Sequence, residues 1–252
     1  MVNKFRGIFE NLSKDSDFIR FGKLGIQKDV LGGSIIEVIP SPELVETSIL
    51  LAEEKSLKTM DSNQNLIVRN RAEKINQSCR GILGEAAIQL LFAKQLKLPL
   101  TDIKRFDLER DSFDYTSDEY DLRISNIRIE VRTSNNPTAS ILDYISNRDR
   151  GVICTYTNRV KSREQESDFY FGFVYDYPGM RGPVPLDRKI SFARDIVEGR
   201  LKMYLVAGVN NAERERYGVV THLNQSNTSY KVVPFWRCRN IFNVIDELGE
   251  TI

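Results

Sequence analysis

The chain has 252 residues, with 36 Lys and Arg against 35 Asp and Glu, for a net charge of +1. That balance argues against a protein held to nucleic acid by bulk charge alone, while leaving room for a local basic face. A single histidine, His222, excludes a histidine-rich zinc site and any mechanism needing two imidazoles, so acid–base or metal chemistry must rest on carboxylates, Lys, Tyr or Cys.

The hydrophobic fraction of 41% is enough for a folded core. Cys79, Cys154 and Cys238 are widely separated and form no CxxC pair, so three buried thiols in a reducing compartment are expected. No long apolar run follows Met1–Arg6, and the apolar stretch 86–93 is too short to span a membrane. A cytoplasmic protein without membrane contact is the expectation.

Residues 1–60 carry the weakest pattern and are expected to form a helical or irregular extension to a core domain at 61–252. Within the extension, 34–39 has the composition of a strand, and Ser41-Pro42-Glu43 reads as a helix start with Ser41 as N-cap. That helix is predicted to run to about Lys58, with a break at 61–63. A longer helix is predicted over 66–96. Its glycines, Gly81 and Gly84, each cost about 1 kcal/mol relative to Ala, so close packing against another element is their expected reason.

From Thr101 the texture changes, with eight acids among the twenty residues 102–121. Strands are then predicted at 122–133, 152–156, 169–175, 203–207 and 231–234, with helices at about 187–199 and 240–248. Phe169, Phe171 and Phe173 alternate with other residues as in a buried strand. His222 falls in a loop-like stretch. The order of elements predicts an α/β (α+β) fold around a central mixed β-sheet flanked by helices.

The segment 121–132 carries the clearest signal. Apolar residues at 122, 124, 127, 129 and 131 alternate with polar ones on both sides of Ser125-Asn126, which suits a two-residue hairpin turn because Asn tolerates positive φ. Pairing across that turn sets Ile124 opposite Ile127, Leu122 opposite Ile129, Arg123 opposite Arg128, and Asp121 opposite Glu130. Like charges opposed in a sheet are unfavourable unless a proton or a cation lies between them. Carboxylates with a backbone carbonyl and water are ligands for Mg²⁺, which can activate water and stabilise charge on a phosphate.

Asp121 followed by Glu130-Val131-Arg132 on a strand resembles the PD-(D/E)XK nuclease superfamily, the restriction-endonuclease-like fold, over about residues 70–175. The resemblance implies that Asp121 and Glu130 hold Mg²⁺ or Mn²⁺, and that Glu85 on the preceding helix serves as an auxiliary ligand or base. It implies DNA as the partner and a homodimer as one way to cut both strands. Two departures stand out: Tyr120 replaces the Pro of the motif and Arg132 replaces its Lys. Arg stays protonated, so Arg132 is confined to orienting water or meeting phosphate and is no general base.

The resulting expectation is a Mg²⁺-dependent DNA endonuclease with catalytic residues Asp121, Glu130, Arg132 and Glu85. The alternative is a catalytically degenerate nucleic-acid-binding or assembly protein on the same scaffold, and a protein-interaction domain is a third reading. Arg159, Lys161 and Arg163 form a small cluster suited to a phosphate backbone, and Arg181, Arg188 and Lys189 flank a Pro/Gly loop.

Overall fold

Helix starts that are chemically explicit in the sequence organise one side of the molecule. In the computed structural model, which describes residues 19–23, 35–58, 70–109, 120–157, 165–178, 194–222 and 229–252, helix α1 spans Pro42–Lys58. Ser41 Oγ accepts the Leu44 N–H at 3.2 Å, and Pro42 occupies the first turn, where its missing N–H has no partner to lose. Helix α2 spans Arg71–Leu96 and begins in a capping box, with Glu73 N–H donating to Asn70 and Asn70 N–H donating to the Glu73 carboxylate. It ends at Lys97, which takes a left-handed conformation two residues before Pro99. The predicted break at 61–63 and the first turn predicted for this helix, 66–69, lie outside the described residues.

Among the described residues the main sheet has seven strands: β1 (Ile19–Lys23), β2 (Ile36–Pro40), β3 (Ile103–Arg105), β4 (Leu122–Ile124), β5 (Ile127–Asn135), β7 (Phe169–Asp176) and β8 (Lys202–Asn210). Their spatial order is β1-β2-β8-β7-β5-β4-β3. β5 and β7 run parallel, and the remaining neighbours are antiparallel. A second sheet of three antiparallel strands joins β6 (Gly151–Thr157), β10 (Ser229–Pro234) and β9 (Val219–His222) in the order β6-β10-β9. His222 therefore ends a paired strand rather than lying in a loop. Short helices α3 (Phe106–Glu109), α4 (Ile141–Ser146) and α5 (Asn211–Tyr217) and the terminal helix α6 (Ile241–Thr251) complete the α+β architecture.

Strand alternation divides the core in two. Phe169, Phe171 and Phe173 of β7 face α2 and pack with Leu83, Ile88 and Phe92, the Phe92 and Phe171 rings meeting edge-on at 5.3 Å. Tyr170 and Val174 face the other way and pack with Tyr144 of α4 and with Val152 and Cys154 of β6. The crossover from β5 to parallel β7 thus runs over the face opposite α2. All three cysteines are buried and free, as expected.

The predicted boundary at residue 60 requires correction. β2 lies between β1 and β8, and Val38, Leu44 and Leu51 share one core with the residues of α2. Residues 36–58 therefore belong to the core domain. The weak pattern that suggested an extension reflects α1 being covered along much of its surface, including Thr47, Ser48 and Ser56, which blurs its apolar stripe. Of the helix predicted over 187–199, residues 194–197 are helical and 187–193 lie outside the described residues. Among the described residues, no helix is long and apolar enough to cross a membrane.

Candidate active site at the hairpin

The hairpin has the pairing that alternation predicts. Leu122 faces Ile129, Arg123 faces Arg128, and Ile124 faces Ile127. The left-handed residue of the turn is Ser125, with φ 53°, rather than Asn126. Asp121 stands just before β4, outside the paired ladder, so the expected Asp121–Glu130 pair is not part of the register. There the Asp121 carboxylate turns into the sheet margin and its Oδ2 accepts the Val131 N–H at 2.7 Å. The carboxylate replaces a backbone acceptor where the strand has not yet started.

Glu130 and Arg132 project from one face of β5, and Val131 and Thr133 from the other. The direction is fixed by Gly84 of α2, where an added Cβ would lie 3.2 Å from both Val131 Cγ1 and Thr133 Cγ2. Val131 therefore faces α2, while Glu130 and Arg132 face the three-stranded sheet. Arg132 pairs with Glu130 at 3.0 Å, and its guanidinium lies 5.2 Å from the centre of the Tyr156 ring on β6. Both side chains are mostly covered, at 20% and 15% exposure. An Arg supports this ion pair and ring contact together because its cation is planar.

Glu85 lies on the α2 face, buried at 8% side-chain exposure, with Arg105 Nη2 3.5 Å from its Oε2. Arg105, fully buried, also donates to the Ile82 carbonyl at 3.1 Å. Beyond it, Asp107 is buried and receives the Lys55 ammonium at 2.6 Å. Burial pushes the Glu85 carboxyl well above its ordinary range, and the negative charges of Asp107 and Asp121 push the same way, against Arg105 and Lys55. Burial is the largest of these causes, so the Glu85 carboxyl is raised despite the Arg105 contact.

The four motif residues are therefore not collected on one face. Asp121 links two halves: its carboxylate holds the Val131 N–H beside Glu130, and its charge reaches Glu85. The sequence reading missed Lys55, Arg105, Asp107 and Tyr156. None of the four carried a local signal, since Ile103-Lys104-Arg105 shows no apolar–polar alternation although Arg105 is buried. Arg159, Lys161, Arg163, Arg181, Arg188 and Lys189 lie outside the described residues.

Carboxylate oxygens are the ligand type that Mg²⁺ prefers, and Glu85 Oε2 is buried with the Arg105 guanidinium 3.5 Å away. Among the described residues, no group of three or more His, Cys, Asp or Glu side chains is arranged to hold a metal ion. Any Mg²⁺ here would take one or two carboxylates and keep several of its waters, which is its usual protein mode.

No family model and no solved structure matches the chain. An uncharacterized protein of Methanocaldococcus jannaschii is 26% identical over 213 residues, covering 76% of this chain and 77% of its own. That similarity spans far more than the hairpin.

Proposed function

We propose that the chain hydrolyses DNA phosphodiester bonds with Mg²⁺ or Mn²⁺ as cofactor, in the manner of a restriction or repair endonuclease. One observation carries this reading: the Asp121 carboxylate, at the head of the hairpin, accepts the Val131 N–H at 2.7 Å, next in sequence to Glu130. Asp121 would hold the ion, with either Glu130 or Glu85, which lie on opposite faces of the sheet, as its second carboxylate. The bound metal would supply an activated water and charge stabilisation at the phosphate. Arg132 keeps its proton, so its part is to orient Glu130 and to meet negative charge.

Cleavage of supercoiled plasmid DNA in Mg²⁺ tests the reading. Asp121→Asn is the informative variant, since its amide oxygen still accepts the Val131 N–H while the charge is gone. Cleavage should disappear without loss of the fold. A Glu130→Ala protein that cuts as fast as wild type overturns the assignment.

A second reading, DNA binding without cleavage, is favoured by the Glu130–Arg132 ion pair and by the separation of Glu85 from that pair across the sheet. It is the correct reading if DNA is bound equally well in EDTA and in Mg²⁺ and stays intact in both.

A further inference from the structure

The three-stranded sheet carries an exposed surface of a different character, remote in sequence from the hairpin. After β10 the chain makes a short turn, Phe235–Arg237, that leaves Trp236 half exposed at 50%. Trp236 is the chain's only tryptophan. The Arg237 guanidinium lies 4.1 Å from the centre of the Trp236 ring and 5.4 Å from that of Tyr217. Arg216 lies 5.1 Å from the same Tyr217 ring. Arg150 adjoins them, because its carbonyl accepts the Phe235 N–H at 3.0 Å.

Among the described residues, Arg150, Arg216 and Arg237 are in no ion pair. The acids of neighbouring α5 are committed elsewhere, Glu213 to Arg239 and Glu215 to Arg214 and Lys231. Asp149 offsets one of the three charges. What remains is Arg216 and Arg237 against the Tyr217 and Trp236 rings, and Arg150 against the Tyr144 ring, 5.6 Å from its centre. Three cations beside a half-exposed indole offer charge for phosphates and a ring face for a base.

We propose that this arginine–aromatic surface binds single-stranded nucleic acid. A base stacks on Trp236, and Arg150, Arg216 and Arg237 meet the phosphates, the latter two seated on the Tyr217 ring. The inference extends the nucleic-acid reading to a second surface and uses none of Asp121, Glu130 or Glu85.

The test is a titration of the full chain with single-stranded oligo(dT) in EDTA, following Trp236 emission. Binding should quench the emission, and log K should fall with log salt with a slope of about −2 for three phosphate contacts. Arg237→Ala and Arg216→Ala lie on different elements, so a folding defect in one leaves the other decisive. Each should weaken binding several-fold or more and reduce the slope by about 0.7. Trp236→Phe should keep binding, read by anisotropy of a labelled oligonucleotide, and lose the quenching. The proposal is overturned by absent quenching, by binding indifferent to both arginine variants, or by heparin quenching Trp236 equally. Quenching caused by concentration-dependent self-association overturns it as well. Because no metal is present, a failure of DNA cleavage leaves this result untouched, and a failure here leaves the cleavage assay to stand alone.

Discussion

The Lys55 ammonium lies 2.6 Å from Asp107 Oδ2, joining α1 to the helical turn α3 that leads into the hairpin. Asp107 is 3% exposed and Lys55 23%. Removing the cation leaves a buried carboxylate short of compensation, the situation in which a broken ion pair costs most. Lys55→Met is expected to destabilise the fold by about 2 kcal/mol, below the range for fully buried pairs because Lys55 reaches solvent. The urea unfolding midpoint measures it, and an unchanged midpoint shows that the pair contributes nothing.

Glu85 gives a pH dependence with a definite sign. Its carboxyl is pushed above its ordinary 4.5 by burial, then by Asp107 and Asp121. The folded state therefore holds a proton that the unfolded state has released once the pH exceeds about 4.5. Stability from this group is complete below that value and is lost as pH rises toward the folded pKa. Glu85→Gln keeps the shape and removes the titration. Urea unfolding across pH should show the variant gaining on wild type from about pH 4.5 upward. A constant difference across that range contradicts the assignment.

The hairpin was legible in the sequence because period-two alternation fixes both pairing and face, and a one-residue slip would expose Leu122 and Ile129. The same alternation sends Glu130 and Arg132 away from Val131. Read together with Gly84 on α2, it would have warned that Glu85 and Glu130 lie on opposite sides. Ion partners brought together by tertiary packing were not legible: Lys55 and Asp107 are 52 positions apart. Nor was the membership of β2 in the sheet, since strand order depends on contacts that no local pattern records. The capped helix α5 escaped notice for a different reason. Its seven residues, Asn211–Tyr217, are mostly charged, and Arg214 alone among them is buried.

Arg132 and Glu130 form a pair whose energy can be isolated. The carboxylate lies near the buried Tyr170 ring, whose hydroxyl is pushed up to about 12 mainly by burial, with the Glu130 charge a minor contributor. Neutralising Arg132 alone takes the Arg132 cation from a mostly covered Glu130, whereas neutralising both removes the two charges together. The double-mutant cycle through Arg132→Met and Glu130→Gln should give a coupling energy of about 1 kcal/mol or more. Additive effects would mean that the ring contact with Tyr156, rather than the ion pair, holds Arg132.

Gly81 and Gly84, one helical turn apart on α2, look equivalent in sequence and differ in the fold. At Gly81 an added Cβ meets Glu85 Oε1 at 3.9 Å, an ordinary contact. Close packing, the reason expected for both glycines, thus applies to Gly84 alone. Gly81→Ala should stabilise by about 1 kcal/mol through helix propensity and reduced freedom of the unfolded chain. At Gly84 the Cβ would meet Val131 and Thr133 at 3.2 Å and Phe173 at 3.5 Å, so a larger side chain forces α2 away from β5 and β7. Gly84→Leu should cost about 3 kcal/mol or prevent folding. Thermal unfolding of the two variants should therefore move in opposite directions. If Gly84→Leu melts no lower than wild type, α2 does not sit on Val131 and Thr133. The assignment of Glu130 and Arg132 to the opposite face, which rests on that contact, then falls with it.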